Sequence, residues 1–145
     1  MNIRYMTEDD LDIVADLERQ IFSDPWSKTS FEFEIHRNRY SIPLVLESEN
    51  QIIGYAVVWK IYEEFHIANL AIRPEFQGKK IGTYFLEEIL KYSGGCKYAL
   101  LEVRESNIRA QNLYKKFGFR TILKRRHYYK NGENALVMQK IFGKD

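Results

Sequence analysis

The stretch that decides the fold is Ala68-Asn69-Leu70-Ala71-Ile72-Arg73-Pro74-Glu75-Phe76-Gln77-Gly78-Lys79-Lys80-Ile81-Gly82-Thr83-Tyr84-Phe85-Leu86-Glu87-Glu88-Ile89-Leu90. Its first residues close a short apolar run, Ile67–Ile72, that stops at Arg73-Pro74, where proline has no N–H for a strand ladder and the chain must turn. Past the turn, Ile81, Phe85, Leu86, Ile89 and Leu90 fall on one helical face. The reading is strand, turn, helix, with Gln77-Gly78-Lys79-Lys80-Ile81-Gly82 at the junction. A helix opening presents unpaired N–H groups and the positive end of a dipole, which suits a phosphate. It also fits a plain strand-to-helix connection with solvated lysines, and the residues alone leave both open.

Outward from this unit the pattern stays regular. Ile3–Met6 reads as a strand, followed by a helix capped at Thr7 with Glu8, Asp9 and Asp10 in its first turn. That helix ends before Ser23-Asp24-Pro25-Trp26, and a second one, capped near Ser27 or Thr29, carries Phe31 and Ile35. Leu44–Glu47 and Ile52–Ile61 predict two strands joined by a polar turn, and Phe65–Ile72 the next strand. After the helix already described come a strand over Tyr98–Val103, a helix over Asn107–Phe117 closed by Gly118, and strands near Arg120–Arg126 and Ala135–Ile141 about Asn131-Gly132. The order is βααβββαβαββ. It predicts one α/β (α+β) domain over residues 1–145: a mixed, mostly antiparallel central sheet flanked by about four helices, with one parallel crossover over 65–103. Ligands of α/β folds gather at the carboxyl ends of such strands, where Glu102 also falls.

Composition narrows the class. A chain of 145 residues, 45% hydrophobic and 29% charged, is ordinary for one globular domain, and a net charge of +2 does not by itself call for nucleic acid. The single Cys96 excludes an internal disulfide, and His36, His66 and His127 lack ligand spacing, so no metal is expected. No apolar run nears the roughly 20 residues of a membrane span, and Asn2-Ile3-Arg4-Tyr5 does not read as a signal peptide; a cytoplasmic protein, monomer or weak dimer, is the expectation.

Three residues could carry chemistry. Glu102 interrupts the apolar strand Leu100-Leu101-Glu102-Val103; burial would raise its pKa and make it a base near neutrality, whereas pairing with Arg104 or facing solvent would leave it structural. Asn107 and Tyr114 lie seven residues apart and project from one helical face. A phenol can protonate a thiolate leaving group, a core tyrosine is the other reading, and Asn107 alone reads as a helix cap.

Taken together, these motifs resemble those of the GNAT N-acetyltransferases. Gln77 to Gly82 is similar to the family's acyl-CoA motif Gln/Arg-x-x-Gly-x-Gly/Ala, with Lys80 in place of the fourth-position glycine. Leu101-Glu102-Val103-Arg104-x-Ser106-Asn107, followed by Ala110-x-x-Leu113-Tyr114-x-x-Phe117-Gly118-Phe119, resembles the second half of the family core. Asp24-Pro25-Trp26-Ser27 and Arg125-Arg126-His127-Tyr128-Tyr129 resemble the RimI branch, the ribosomal-protein alanine N-acetyltransferases, with His127 where that branch often has Asn. The resemblance spans nearly the whole chain in order.

The resemblance implies acetyl-CoA as co-substrate and a protein N-terminus, that of a ribosomal protein, as acceptor. Backbone groups of Leu70, Ala71 and Ile72 would hold the pantetheine arm and the thioester. Gln77, Gly78, Lys79, Lys80, Ile81, Gly82 and Thr83 would form the pyrophosphate turn, and Asn107 would touch the cofactor arm. Glu102 would accept the proton, Tyr114 would give one to the departing sulfur, and Trp26, Tyr128 and Tyr129 would wall the peptide groove. An α-amino group, with a pKa of roughly 7.7–8.0, is about a tenth or more neutral at pH 7, far more than a lysine amine, so one carboxylate suffices as base. Direct attack leaves Cys96 without a chemical part. Competing readings are acetylation of a small amine or of protein lysines, and a non-catalytic RNA-binding or peptide-binding module built on Lys124-Arg125-Arg126-His127-Tyr128-Tyr129-Lys130.

Overall fold

In the computed structural model, which describes residues 1–143, alternating apolar positions build a single seven-stranded sheet. Its strands are β1 (Asn2–Tyr5), β2 (Ser41–Ser48), β3 (Gln51–Ile61), β4 (Glu64–Ile72), β5 (Tyr98–Arg104), β6 (Arg120–Arg125) and β7 (Ala135–Ile141), arranged β1-β2-β3-β4-β5-β7-β6. Only β4 and β5 run parallel; the other neighbours are antiparallel. The helices are α1 (Leu11–Ile21), α2 (Lys28–His36), α3 (Ile81–Leu90) and α4 (Ile108–Lys116), with α3 in the crossover from β4 to β5. Element order and the single parallel pair match the expectation, although β2 begins at Ser41, three residues before the first apolar pair Leu44-Val45. Among the described residues no helix is long and apolar enough to cross a membrane.

Each sheet face buries its own cluster. Phe85, Leu86 and Ile89 of α3, with Tyr114 of α4, pack on Leu46, Val58, Phe65 and Leu101. Leu11, Val14 and Leu17 of α1, with Phe31 of α2, pack on Val45, Tyr55 and Val57. The alternation within β2 and β3 thus sends successive residues to opposite layers. Caps fix where helices start: Ser27 Oγ accepts from Ser30 N at 3.1 Å and Asn107 Oδ1 from Ala110 N at 3.1 Å. The acidic run after Thr7 first makes a 3-10 turn, Glu8–Asp10, whose buried Asp10 receives both guanidinium nitrogens of Arg4 at 2.8 Å and the Thr7 N–H at 2.8 Å.

Two irregularities mark β4. Asn69 pairs with Val57 and Ile67 with Val58, so Ala68 is an extra residue that bulges the strand. The parallel ladder covers only Glu64–Ile67 against Tyr98–Leu101. Past it, the edge of β4 from Ala68 to Ile72 and the end of β5 from Glu102 no longer bond each other, which leaves main-chain donors and acceptors for another partner.

Candidate active site

Where that ladder ends, a cleft of about 430 Å³ opens between β4, the turn after it and α4. Of the residues expected to hold a cofactor, Leu70, Ala71, Ile72, Gln77, Gly78, Lys80, Gly82, Thr83 and Asn107 line it, together with Tyr114. Lys79 and Ile81 do not: Lys79 Nζ sits 5.6 Å over the Phe76 ring, and the Ile81 side chain packs on the core.

The turn has the geometry of an anion cradle. Gly78 and Lys80 both adopt left-handed backbone, with φ of 79° and 64°. A Cβ at Gly78 would meet Arg109 Nη2 at 2.9 Å, so the glycine admits a guanidinium against the turn. Lys80 stands at the start of α3 without a side-chain cap, and Tyr84 N donates to Lys80 O at 3.1 Å as the helix begins. The N–H groups of Ile81, Gly82 and Thr83 therefore have no partner within the helix. Gln77 Nε2 donates to Ile72 O at 2.9 Å and clamps the turn to the strand end. Left-handed backbone, free N–H groups and the cations Lys80, Arg109 and Lys116 around one cleft fit a diphosphate carrying a long arm along β4. Asn107 spends its Oδ1 on capping α4, which leaves only its amide nitrogen for such an arm.

Glu102 lies on β5 just past the end of the parallel ladder, facing the same way as Leu100 and Arg104, and is not among the residues lining the cleft. Its partner is not Arg104 but His66 of β4, whose Nε2 lies 3.0 Å from Glu102 Oε1. His66 pairs with Leu100 in the parallel register, so same-face alternation brings it next to Glu102. The expectation that burial raises the Glu102 pKa is corrected: the His66 hydrogen bond outweighs burial and holds the carboxyl below its ordinary value. Tyr114 is 9% exposed and reaches the cleft, while its hydroxyl has no hydrogen-bond partner among the described residues. Burial, reinforced by the nearby Tyr129 phenol, pushes it up to about 12, so it stays protonated. Tyr129 lies close enough to Tyr114 and to Glu102 to interact electrostatically with both.

Arg104 instead joins two loops. Its guanidinium lies 3.8 Å over the Tyr129 ring, donates to Ser23 Oγ at 2.8 Å and Glu133 Oε1 at 3.0 Å, and reaches Asp24 Oδ2 at 3.6 Å. Lys130 N also donates to Asp24 Oδ2 at 2.8 Å, so the segment between α1 and α2 is bound to the β6–β7 connection. Trp26 is held by its N–H to the buried carboxylate of Glu18 at 3.0 Å, and Glu18 also accepts from Tyr55 Oη at 2.7 Å and Asn69 Nδ2 at 3.0 Å. Tyr128 is exposed with its ring 5.1 Å from that of Tyr129. Trp26 lines a second, separate cleft rather than the first. In the basic run that prompted the RNA reading, Lys124 is paired with Glu105 at 2.6 Å. Among the described residues no cluster of three or more His, Cys, Asp or Glu could hold a metal.

Sequence reasoning passed over His66 and Arg109 as site residues, and gave Arg104 only as a partner for Glu102. For His66 a signal existed: once the β4–β5 pairing is assumed parallel, residues of like parity near Glu102 are candidates to face it. Arg104 and Arg109 act through loop and turn positions that no local pattern announces.

Comparison with known proteins bears on the family and the fold. The profile of the Acetyltransferase (GNAT) family matches residues 11–119. A Bacillus subtilis protein whose proposed name is [ribosomal protein bS18]-alanine N-acetyltransferase is 40% identical, over 94% of this chain and 92% of its own length. The Salmonella typhimurium [ribosomal protein bS18]-alanine N-acetyltransferase is 30% identical over 94% of each chain. The crystal structure of the Escherichia coli ribosomal-protein-S18-alanine N-acetyltransferase superposes with a TM-score of 0.89 at 26% identity, covering 99% of this chain and 95% of that one.

Proposed function

From the premise that this chain belongs to the GNAT acetyltransferase family, we propose that it transfers acetyl from acetyl-CoA to the α-amino group of a protein N-terminus, the N-terminal alanine of ribosomal protein bS18. What supports the acceptor is the likeness to bS18-alanine N-acetyltransferases along nearly the whole chain. What supports the chemistry is one arrangement: an anion-suited turn and an unpaired buried phenol share a cleft, and Tyr129 interacts with both that phenol and the ionised carboxylate of Glu102.

In this reading the co-substrate supplies an activated acetyl thioester. The N–H groups of Ile81, Gly82 and Thr83, with Lys80 and Arg109, neutralise its diphosphate. The β4 edge at Leu70, Ala71 and Ile72, past the end of the parallel ladder, bonds the pantetheine amides as an added strand would, with Ile72 O shared with Gln77. His66 orients Glu102 and keeps it ionised. Glu102 takes the proton that the amine sheds as the N–C bond forms. Tyr114 donates a hydrogen bond to the sulfur as the C–S bond breaks, and its proton follows onto the leaving thiolate. Trp26, Tyr128 and Tyr129 border the acceptor, held in place through Glu18 and Arg104.

The reading is tested by following free thiol release from acetyl-CoA with an alanine-initiated peptide of bS18 sequence. Release that requires the free N-terminus is expected; equal release with a blocked N-terminus, or none with either peptide, overturns it.

A further inference from the structure

Between α2 and β3 lies a second cleft, of about 350 Å³, lined by Trp26, Thr29, Ser30, Phe33, Glu34 and Trp59. Its aromatic character is marked: it contains both tryptophans of the chain, and Phe33 leaves 49% of its surface exposed. Glu34, only 6% exposed, sits among them. Its Oε1 accepts from Trp59 Nε1 at 2.6 Å and from Asn38 Nδ2 at 3.0 Å. Among the described residues its Oε2 has no hydrogen-bond partner and is not sealed from solvent, and Glu34 lines the cleft. Lys28, at the start of α2, does not answer that charge, being turned to Asp12 at 2.8 Å.

A buried carboxylate with a free oxygen is costly to desolvate unless a donor or cation meets it, and aromatic faces add attraction for a cation. The cleft is also linked to the proposed catalytic carboxylate. The Trp59 ring lies edge-on to His66 with centroids 5.1 Å apart, and His66 in turn holds Glu102. Trp26 belongs to the segment placed beside the acceptor.

We propose that this cleft is a specificity subsite that takes a cationic side chain of the acceptor polypeptide, downstream of its N-terminus. Glu34 Oε2 faces the charge, and Trp26, Phe33 and Trp59 surround the stem. The proposal deepens the N-terminal acetyltransferase reading and rests on it for the identity of the ligand.

Because both tryptophans line the cleft, indole fluorescence reports occupancy without turnover. The probes are N-terminally acetylated peptides, which cannot be acceptors, identical except for one arginine or one norleucine placed in turn at positions two to five. At one position the arginine peptide is expected to bind at least tenfold more tightly than its norleucine twin. Glu34→Gln should bring that ratio to about one. Thr29→Arg, at the exposed rim, should do the same by placing a cation in the cleft, which keeps the test valid if the buried substitution fails to fold. Equal binding of the two peptides at every position, no fluorescence response to any arginine peptide, or a preference unchanged in both variants would overturn the subsite. A cation preference without acetyl transfer to unblocked peptides would leave the subsite standing and sink the acceptor reading; transfer without the preference would do the reverse.

Discussion

His66 Nε2 and Glu102 Oε1 lie 3.0 Å apart across the only parallel strand pair of the sheet, at the point where that pairing ends. This contact sets the ionisation of the carboxylate. In His66→Ala the hydrogen bond is gone and burial is opposed only by the weaker effect of the Arg125 charge, so the Glu102 pKa moves upward. Glu102 must be ionised to accept a proton, so the acid limb of the kcat profile moves toward neutrality. Wild-type kcat, divided by the neutral fraction of the acceptor amine, should stay flat between about pH 6 and 8, and the variant treated the same way should fall within that window. An unshifted profile would remove His66 from the mechanism. The stability linkage has the matching sign: a depressed carboxylate pKa contributes stability above about 4.3, lost as pH falls through the folded value.

Glu102→Gln keeps the side-chain volume and removes the proton acceptor. Turnover should drop by about 10²–10³-fold, within the usual range for general-base loss. Calorimetric titration should show acetyl-CoA affinity within about twofold of wild type, because the carboxylate is not among the residues lining the cofactor cleft.

Tyr114→Phe separates chemistry from packing. The hydroxyl has no protein partner to lose, while the ring touches Phe119 at 5.9 Å between centroids and keeps that contact in the variant. A fall in kcat of about 10²-fold with an unchanged melting temperature is expected; an equal loss of stability would mark the hydroxyl as structural.

Lys80 adopts φ of 64° where the family motif has glycine. Left-handed backbone costs a side chain about 1–2 kcal/mol, partly offset because glycine is more mobile when unfolded. Lys80→Gly should therefore stabilise by up to about 1 kcal/mol in chemical denaturation, while weakening acetyl-CoA binding through the lost cation. Gly78→Ala should be worse on both counts, since its φ is 79° and its new Cβ would press on Arg109.

The Arg4–Asp10 pair closes the entry to α1 with two 2.8 Å hydrogen bonds. The Arg4 contact holds the Asp10 carboxyl below its ordinary value against the effect of burial. Asp10→Asn should cost about 1–2 kcal/mol at pH 7, allowing for solvent screening of the partly exposed guanidinium. The difference from wild type should shrink as pH falls through the folded pKa of Asp10, measured by thermal melts at stepped pH.

The element order and the turn after β4 were legible because each rests on local chemistry: proline at the end of β4, helical spacing from Ile81, and glycine where φ is positive. Glu102 stood out as a charge in an apolar strand, and Tyr114 by its two-turn spacing from Asn107 on one helical face. His66 did not, because its meaning depends on β4 and β5 lying side by side, 36 residues apart in sequence. The sign of the Glu102 shift followed from the same omission. Arg104 looked like a partner for Glu102 by proximity along the strand, whereas the folded chain gives it Asp24 and Glu133 from two distant loops. Trp26 was placed near the acceptor by its motif, and the buried Glu34 and Trp59 beside it became visible only when α2 packed on β3.

The measurement that tests the account most directly is mass-spectrometric mapping of the acetyl group on an alanine-initiated peptide with one internal lysine, after incubation with acetyl-CoA. A single acetyl on the N-terminal nitrogen, abolished in Glu102→Gln, is predicted. Acetyl on the lysine, or no acetyl despite acetyl-CoA binding in the cleft, would contradict the assignment of a protein N-terminus as acceptor.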